Sequence, residues 1–486
     1  MASKRNTSKR IDGIDIPKTI ASISKQLEAD ESLSPALRAS IELLMMLVTL
    51  LANRLGLNSQ NSHTPPSSDP NRQKAPRQPG KRKPGGQLGR QGTQLKSFAD
   101  PDDIEVLTID RSSLPAGRYQ TAGYESRQVV DIEFVRRVTE YRAQVLVNEQ
   151  GQRFVAPFPE GVTRPVQYGD GLKAHCVYLS QYQLLPYQRI AEYCQDQVGI
   201  PVSTGSIVNF NREAAERLNA LNIKALIQAK LHKERVLYAD ETGINVNGVR
   251  HWLHCASSRS WTWFTVHQQR GKQAMDEAGI LSEFEGILCH DHWKPYYTYH
   301  QCQHALCNAH HLRELERAYE QDGQQWAQAL KALLLEAHLK INETNGALIS
   351  QQIEDYRQRY RNILQTGEIE SPPPDEKNRK PCQRGRLKRT KSRCLLERLR
   401  DFEQDVLRFL TNSDVPFTNN QGENDIRMTK VQQKISGCFR SIEGAETFCL
   451  IRSYLSSCRK HQCSASEALR CIYNKQLPEC FASFGE

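Results

Sequence analysis

No cysteine precedes Cys176, and the fourteen from there on never fall into a Cys-x-x-Cys pair. Zinc ribbons and dithiol redox centres need paired thiols at short spacing, so a redox or metal-storage role has no support. The start, MASKRNTSKR, is basic, but no apolar core and small-residue cleavage site follow it, as a secretory signal requires. Without export the thiols are expected to stay reduced, in the cytoplasm. Long hydrophobic runs are also missing. The longest, Ile41 to Ala52, carries Glu42 and Thr49 and is too short to span a bilayer, so no membrane partner is expected. Acidic residues vanish altogether between Asp69 and Asp100.

What is there describes an ordinary multidomain protein. A chain of 486 residues supports two to four domains, and 25% charged with 38% hydrophobic residues excludes a disordered chain. The net charge of +10 and pI near 8.9 favour a polyanionic partner. The clustering of that charge says more than its sum.

From Pro35 to Leu55 the residues Leu37, Ile41, Leu44, Val48, Leu51 and Leu55 recur at steps of four and three. That is a coiled-coil seam of about three heptads, or one amphipathic helix packed on its own domain, since Leu43, Met46, Leu47 and Leu50 widen the stripe. The acid-free stretch after it holds Arg72, Lys74, Arg77, Lys81, Arg82, Lys83, Arg90 and Lys96 among Pro and Gly. It reads as a flexible basic arm that neutralises phosphates, with a solvated linker as the plainer reading.

Between Asp102 and Asp170 the alternation at Val129 to Val135 and Tyr141 to Val147 suggests a small β-rich unit. PYQRIAEYCQDQVG predicts a short helix with Ile190, Ala191 and Cys194 inward. GIPVST breaks it, and SIVNFNREAAERL predicts a second helix capped by Ser203 or Thr204. This fits a helix-turn-helix, or a generic helical hairpin; the basic arm upstream favours the former.

The chemistry centres on RVLYADETG, Arg235 to Gly243. Val236 to Ala239 form a short apolar strand, and Asp240 stands where that strand emerges, held by rigid backbone and open to a metal ion. RHWLHCASS and WTWFTVH predict two more strands, and Gly271 to Ala278 a helix. In FEGILCHDHWKPYY, Gly286 to Cys289 repeats the strand pattern, so Asp291 takes the same position as Asp240. Two such aspartates on neighbouring strands could hold a divalent ion. A third carboxylate comes from TNNQGENDIRMTKVQQKISGCFRS, where Asn419 or Asn420 can cap a helix. There Glu423, Arg427, Lys430 and Lys434 follow at steps of four, three and four, on one helix face. The acid can complete a metal site while the bases grip DNA; an ordinary Glu423 to Arg427 surface pair is the alternative.

The motifs LGLNSQNSHTPPSSDP, KRKPGGQLGRQG, YADETG, CHDHWKPYY, CNAHHLREL and NNQGENDIRMTKVQQKISGCFRS, in this order, resemble the transposases of the insertion sequence 66 family over nearly the whole chain. The resemblance implies an α/β fold with an RNase H-like mixed-sheet catalytic domain and an acidic triad of the DDE type, Asp240, Asp291 and Glu423. It also implies a base seven positions after the glutamate, matched by Lys430, and an N-terminal leucine-zipper-like helix. The expected chemistry is polynucleotidyl transfer on two magnesium (or manganese) ions. The partners expected are the element's terminal repeats, target DNA, further copies of the chain and companion proteins encoded by the same element, all at the nucleoid. His310, His311, Asn419 and Asn420 are candidates for substrate contact. Members commonly carry a cysteine-pair zinc module before the helix-turn-helix; the cysteine-free stretch here argues against zinc in that unit. A catalytically inactive DNA-binding remnant and a structure-selective nuclease of similar fold are the alternatives.

The expected organisation is a leucine-zipper-like region (1–57), a flexible basic linker (58–100), the β-rich unit (101–170), the helix-turn-helix region (171–222) and the first part of the catalytic domain (223–311). A helical insertion with a basic loop (312–415) and the last catalytic part with C-terminal helices (416–486) complete it. Helical patterns at Trp326 to Lys340, Ile349 to Ile363 and Leu395 to Leu410 carry the insertion. His300, Cys302, His304, Cys307, His310 and His311 form the one cluster of soft-metal ligands, in which Cys307 and His311 could share a helix face around zinc; a helix packed near the active site is the favoured reading.

Overall fold

The computed structural model describes residues 10–11, 14–30, 32–62, 69, 95–120, 122–344, 346, 348–375, 379 and 385–482. The arm residues Lys81, Arg82 and Lys83 lie outside the described residues. Strands β1 (Arg10–Ile11) and β2 (Ile14–Asp15) lead into α1 (Ile16–Ala29) and then α2 (Pro35–Leu55), the span that the heptad spacing predicts. Ser34 caps α2 by accepting from the Leu37 amide, and Pro35 sits in the first turn, where its missing N–H has no helical partner to lose. Among the described residues much of the apolar stripe is open: Leu37, Leu44, Leu51 and Leu55 are each at least half exposed, while Ile41 is half-buried. By length and composition α2 is also able to cross a membrane, which the interrupted run Ile41 to Ala52 did not suggest. Its C-terminal end is tied to the rest of the fold through Gln321 Nε2, which donates to the Asn53 carbonyl at 3.3 Å.

The stretch expected to be β-rich forms one hairpin, β3 (Val145–Val147) with β4 (Arg153–Val155), all six residues exposed. Val129 to Val135 takes no regular structure, and Val129 is 95% exposed. Alternation gives a strand one apolar face but no surface to bury it against; Phe134 meets the Tyr193 ring edge-on at 6.4 Å, while Ile132 and Val135 stay exposed.

Helices α3 (Asp170–Val177), α4 (Tyr187–Val198), α5 (Thr204–Ala220) and α6 (Ile223–His232) follow. Gly199 ends α4 at φ 62°, a left-handed turn that a side chain would strain, and Ser203 caps α5 through the Ser206 amide. Ile190 and Cys194 point inward as the sequence pattern requires.

The sheet comprises β5 (Val236–Val246), β6 (Val249–Ser257), β7 (Thr262–His267), then, after α7 (Lys272–Ala278), β8 (Ile287–His290) and β9 (Gln303–Leu306). Its order is β7-β6-β5-β8-β9, with β5, β6 and β7 antiparallel and β5, β8 and β9 parallel. β5 does not end near Asp240, as its apolar run suggests. It continues through Gly243 to Val246, because Asn247 and Gly248, both at positive φ, form a two-residue turn into β6 and give the second half of β5 a partner.

Next come α8 (Asn308–Asp322), α9 (Gln325–Glu343), α10 (Ser350–Glu370), α11 (Lys391–Asp401), α12 (Glu403–Val406) and α13 (Arg408–Thr411), then α14 (Asn420–Ser436), α15 (Ile442–Lys460), α16 (Ala465–Tyr473) and α17 (Glu479–Ala482). The single helix expected from Leu395 to Leu410 is broken at Phe402 and Leu407, and the break brings Arg408 Nε to the His304 carbonyl on the edge strand β9, at 2.6 Å. The opposite edge, β7, is closed by α15: Ser457 and Ser453 accept from the amides of Thr262 and Phe264. One core joins Leu237, Ala239 and Leu288 to α3–α6 and α15–α17. A second joins Val236, Tyr238, Ile287 and Cys289 to α8–α13. The result is a mixed α/β fold whose sheet is covered on both faces.

Candidate active site

Alternation along β5 puts Asp240 on the face of Tyr238 and Thr242, the side that carries α8 and α14. In the parallel β5–β8 ladder Tyr238 pairs with Cys289, so two residues further on Asp240 comes level with Asp291. The parallel pairing stops just before these two positions, which opens the sheet where the two carboxylates stand. Asp291 Oδ1 accepts from the Trp293 amide at 3.0 Å, and His292 takes φ 72°, so the chain turns sharply away after the aspartate. Behind that turn lies a chain of hydrogen bonds. The His292 amide donates to His290 Nδ1, which leaves His290 Nε2 to donate to His304 Nδ1 at 3.1 Å, and His304 Nε2 to donate to the Tyr299 carbonyl at 3.2 Å. Burial holds both imidazoles below their usual range and therefore neutral.

Glu423 lies in the first turn of α14. Asn419, at the N-cap position, does not bond a helix amide. Its Nδ2 donates to the Ala239 carbonyl at 2.9 Å, and its backbone N–H donates to Cys307 Sγ at 3.1 Å. Asn420 is exposed. Ile426 and Thr429 face the sheet, while Arg427, Lys430 and Lys434 are exposed along the row that begins at Glu423. His310 is half-buried with Nδ1 3.8 Å from Glu423 Oε1. His311 is buried, bonded to Asn308 Oδ1 and held well below its usual range by burial and by Arg398, so it is a neutral internal group. Cys307 therefore converges with His310 and Glu423, not with His311.

The electrostatics are those of crowded anions. Asp240 is pushed up to about 8, first by burial, then by Glu241 and Asp291, with Glu423 adding to them. Glu423 Oε1 is buried without a hydrogen bond. Asp240, Asp291 and Glu423 are hard oxygen donors close enough to raise the charge cost at Asp240, and with a buried carboxylate oxygen lacking a hydrogen bond they suit magnesium or manganese by donor type.

Sequence reasoning missed Glu241, although it adjoins Asp240. With 2% of its side chain exposed, it accepts from Tyr296 Oη at 2.6 Å and pairs with Arg270. Burial keeps its carboxyl above the usual range, with Tyr296 and Arg270 pulling it down. The Arg270 guanidinium lies 4.4 Å from the Trp293 ring centre and 4.8 Å from that of Trp252. Arg398 was missed as well: it reaches from α11 to Glu314, near enough to feel the charge of Asp291. No local motif marks it, since only the packing of α11 on α8 brings it there.

Residues 165–447, more than half of the chain, match the family described as Transposase IS66 family. The chain belongs to that family. It is thus an enzyme of the transposase kind, and membership implies action on DNA. The match spans Asp240, Asp291 and Glu423. A second match, over residues 17–96, is to a family of unknown function, DUF6444, which takes in α1, α2 and most of the arm of this transposase. No curated protein matches the chain.

Proposed function

We propose that this transposase binds the ends of its own element and performs strand cleavage and strand transfer, with Asp240, Asp291 and Glu423 as the catalytic carboxylates of an RNase H-like domain. The observation that carries this reading is the parallel β5–β8 register, which ends at Tyr238 and Cys289 and leaves Asp240 and Asp291 each two residues beyond it, with α14 and its Glu423 tied to β5 through Asn419. Two divalent ions on these carboxylates would supply Lewis-acid activation of a water or 3′-hydroxyl and charge neutralisation at the leaving oxygen.

The remaining parts follow from their chemistry. Arg427, Lys430 and Lys434 run the phosphate backbone past the carboxylates, and His310 offers a ring nitrogen beside Glu423. The α4–α5 pair acts as a helix-turn-helix and the basic arm as a phosphate clamp. Cleavage and joining then differ only in nucleophile, within an oligomer that holds both ends. Companion proteins of the element are further expected partners.

The test is cleavage and joining of labelled element-end DNA with magnesium, comparing the intact protein with Asp240→Asn, Asp291→Asn and Glu423→Gln. Each variant is expected to bind DNA and to lose at least ~10³-fold in rate. An intact protein that binds but neither cuts nor joins would sink the reading of an autonomous enzyme, and an active Glu423→Gln would remove the third ligand.

A further inference from the structure

We propose that Cys307, His310 and Glu423 form a second, softer metal site, selective for zinc-class ions, which captures Glu423 and so switches the magnesium site off. Cys307 is the N-cap residue joining β9 to α8, His310 lies in the first turn of that helix, and Glu423 lies in the first turn of α14. A sulfur, a ring nitrogen and a carboxylate oxygen from these three all lie within 4.8 Å of one another. Tetrahedral zinc, with bonds of about 2.3 Å to sulfur and about 2.0 Å to nitrogen and oxygen, sets its ligands roughly 3.3–3.7 Å apart. The His310 Nδ1 to Glu423 Oε1 separation of 3.8 Å already approaches that, and this same Oε1 is the buried oxygen without a hydrogen bond.

The ligand set is chosen by softness. Magnesium takes oxygen donors in an octahedron and has no use for a thiolate, whereas zinc takes sulfur, nitrogen and oxygen together. Binding forms the sulfur–metal bond as the Cys307 S–H proton leaves to solvent. Thiolate, neutral imidazole and carboxylate then carry two negative charges against the ion's two positive ones, with solvent in the fourth position. With Oε1 on this ion, Glu423 keeps only Oε2 for a magnesium ion beside Asp240 and Asp291, and the added positive charge weakens that second bond. Binding itself needs only the three residues; the loss of activity rests on the proposed function.

The test uses the full-length protein stripped of metal and titrated with cobalt(II), whose thiolate charge-transfer and visible bands report a sulfur-containing tetrahedral site. Cys307→Ser keeps an acceptor for the Asn419 amide, so the fold is retained while the thiolate is removed. One cobalt per chain is expected, its thiolate band absent in Cys307→Ser and its affinity lowered at least ~10-fold in His310→Ala. A band that persists in Cys307→Ser, or no band in the unaltered protein, overturns the site. Zinc is expected to displace the cobalt and to inhibit magnesium-supported DNA cleavage, with inhibition relieved in Cys307→Ser. Zinc that binds without inhibiting overturns the capture of Glu423. If no cleavage occurs under any condition, the proposed function fails, and the cobalt spectra still decide the site.

Discussion

Asn419 and Ala239 are joined by one hydrogen bond, Nδ2 to carbonyl, at 2.9 Å. The acceptor precedes Asp240, and the donor stands four residues before Glu423, so this bond fixes a helix-borne carboxylate against a strand-borne one. Asn419 is buried, and the alternative partner for its amide, water, is excluded. Asn419→Ala is expected to slow DNA cleavage by about 10–100-fold with element-end binding retained. Asn419→Asp should be worse, because an acceptor then faces the Ala239 carbonyl. An alanine variant with unchanged cleavage rate would show that α14 is positioned by packing alone.

The proton on Asp240 makes stability depend on pH in a direction opposite to the usual one for a carboxylate. Its folded value of about 8 lies above the ordinary 3.8, so the folded chain keeps a proton that the unfolded chain has lost. Stability therefore falls as pH rises from about 4 to about 8, and the penalty is complete above that. Asp240→Asn should raise Tm at pH 8.5 by several degrees and leave it nearly unchanged at pH 4. Magnesium should raise the Tm of the unaltered protein more at pH 8.5 than at pH 5. His254 and His292, pushed down to about 4, give the other slope: they lose stability as pH falls below about 6.5. Because both proteins share that slope, the difference between their melting curves isolates Asp240. An Asn variant no more stable at high pH would contradict the crowding of charge at this carboxylate.

How much of this was legible in the residues follows from the range over which each signal acts. The positions of Asp240 and Asp291 were readable, because short apolar runs mark buried strands: Asp240 directly follows Val236 to Ala239, and Asp291 stands one residue beyond the run that ends at Cys289. The length of β5 was misread, since the apolar run stops at Ala239 while the Asn247–Gly248 turn, a stronger hairpin signal, sits further on. The helix of Glu423 and its exposed bases were readable from spacing alone. That Asn419 would bond a strand carbonyl, and that Cys307 and His310 would face Glu423, was not, because these contacts join residues more than a hundred positions apart. The β-rich reading of 101–170 failed for want of a partner surface, which alternation cannot reveal.

The exposed row on α14 predicts a particular salt dependence. Arg427, Lys430 and Lys434 extend from the candidate site without burial. If each contacts one phosphate, alanine at any of them should weaken binding to all DNA sequences alike and lower the slope of log affinity against log salt by about 1. Lys430→Ala should also slow cleavage, being two turns from Glu423 on the same face. A change in sequence preference with an unaltered salt slope would mean that these residues read bases instead.

The last prediction concerns α2, where Leu37, Leu44 and Leu51 are each at least half exposed among the described residues. Leu44 and Leu51 are both 60% exposed and stand one heptad apart, on a helix whose cap and first-turn proline define its start independently of any packing. An apolar stripe of this length left in water is an association surface, and a second copy of the same helix offers the same spacing. The protein should therefore sediment as an oligomer, and Leu44→Glu with Leu51→Glu should shift it toward monomer while leaving the sheet and its melting transition intact. Because joining needs two ends held together, the double variant is expected to keep single-end binding and to lose strand transfer by a larger factor than cleavage. A variant that stays oligomeric would assign association to another surface and return α2 to the role of a helix packed on its own domain.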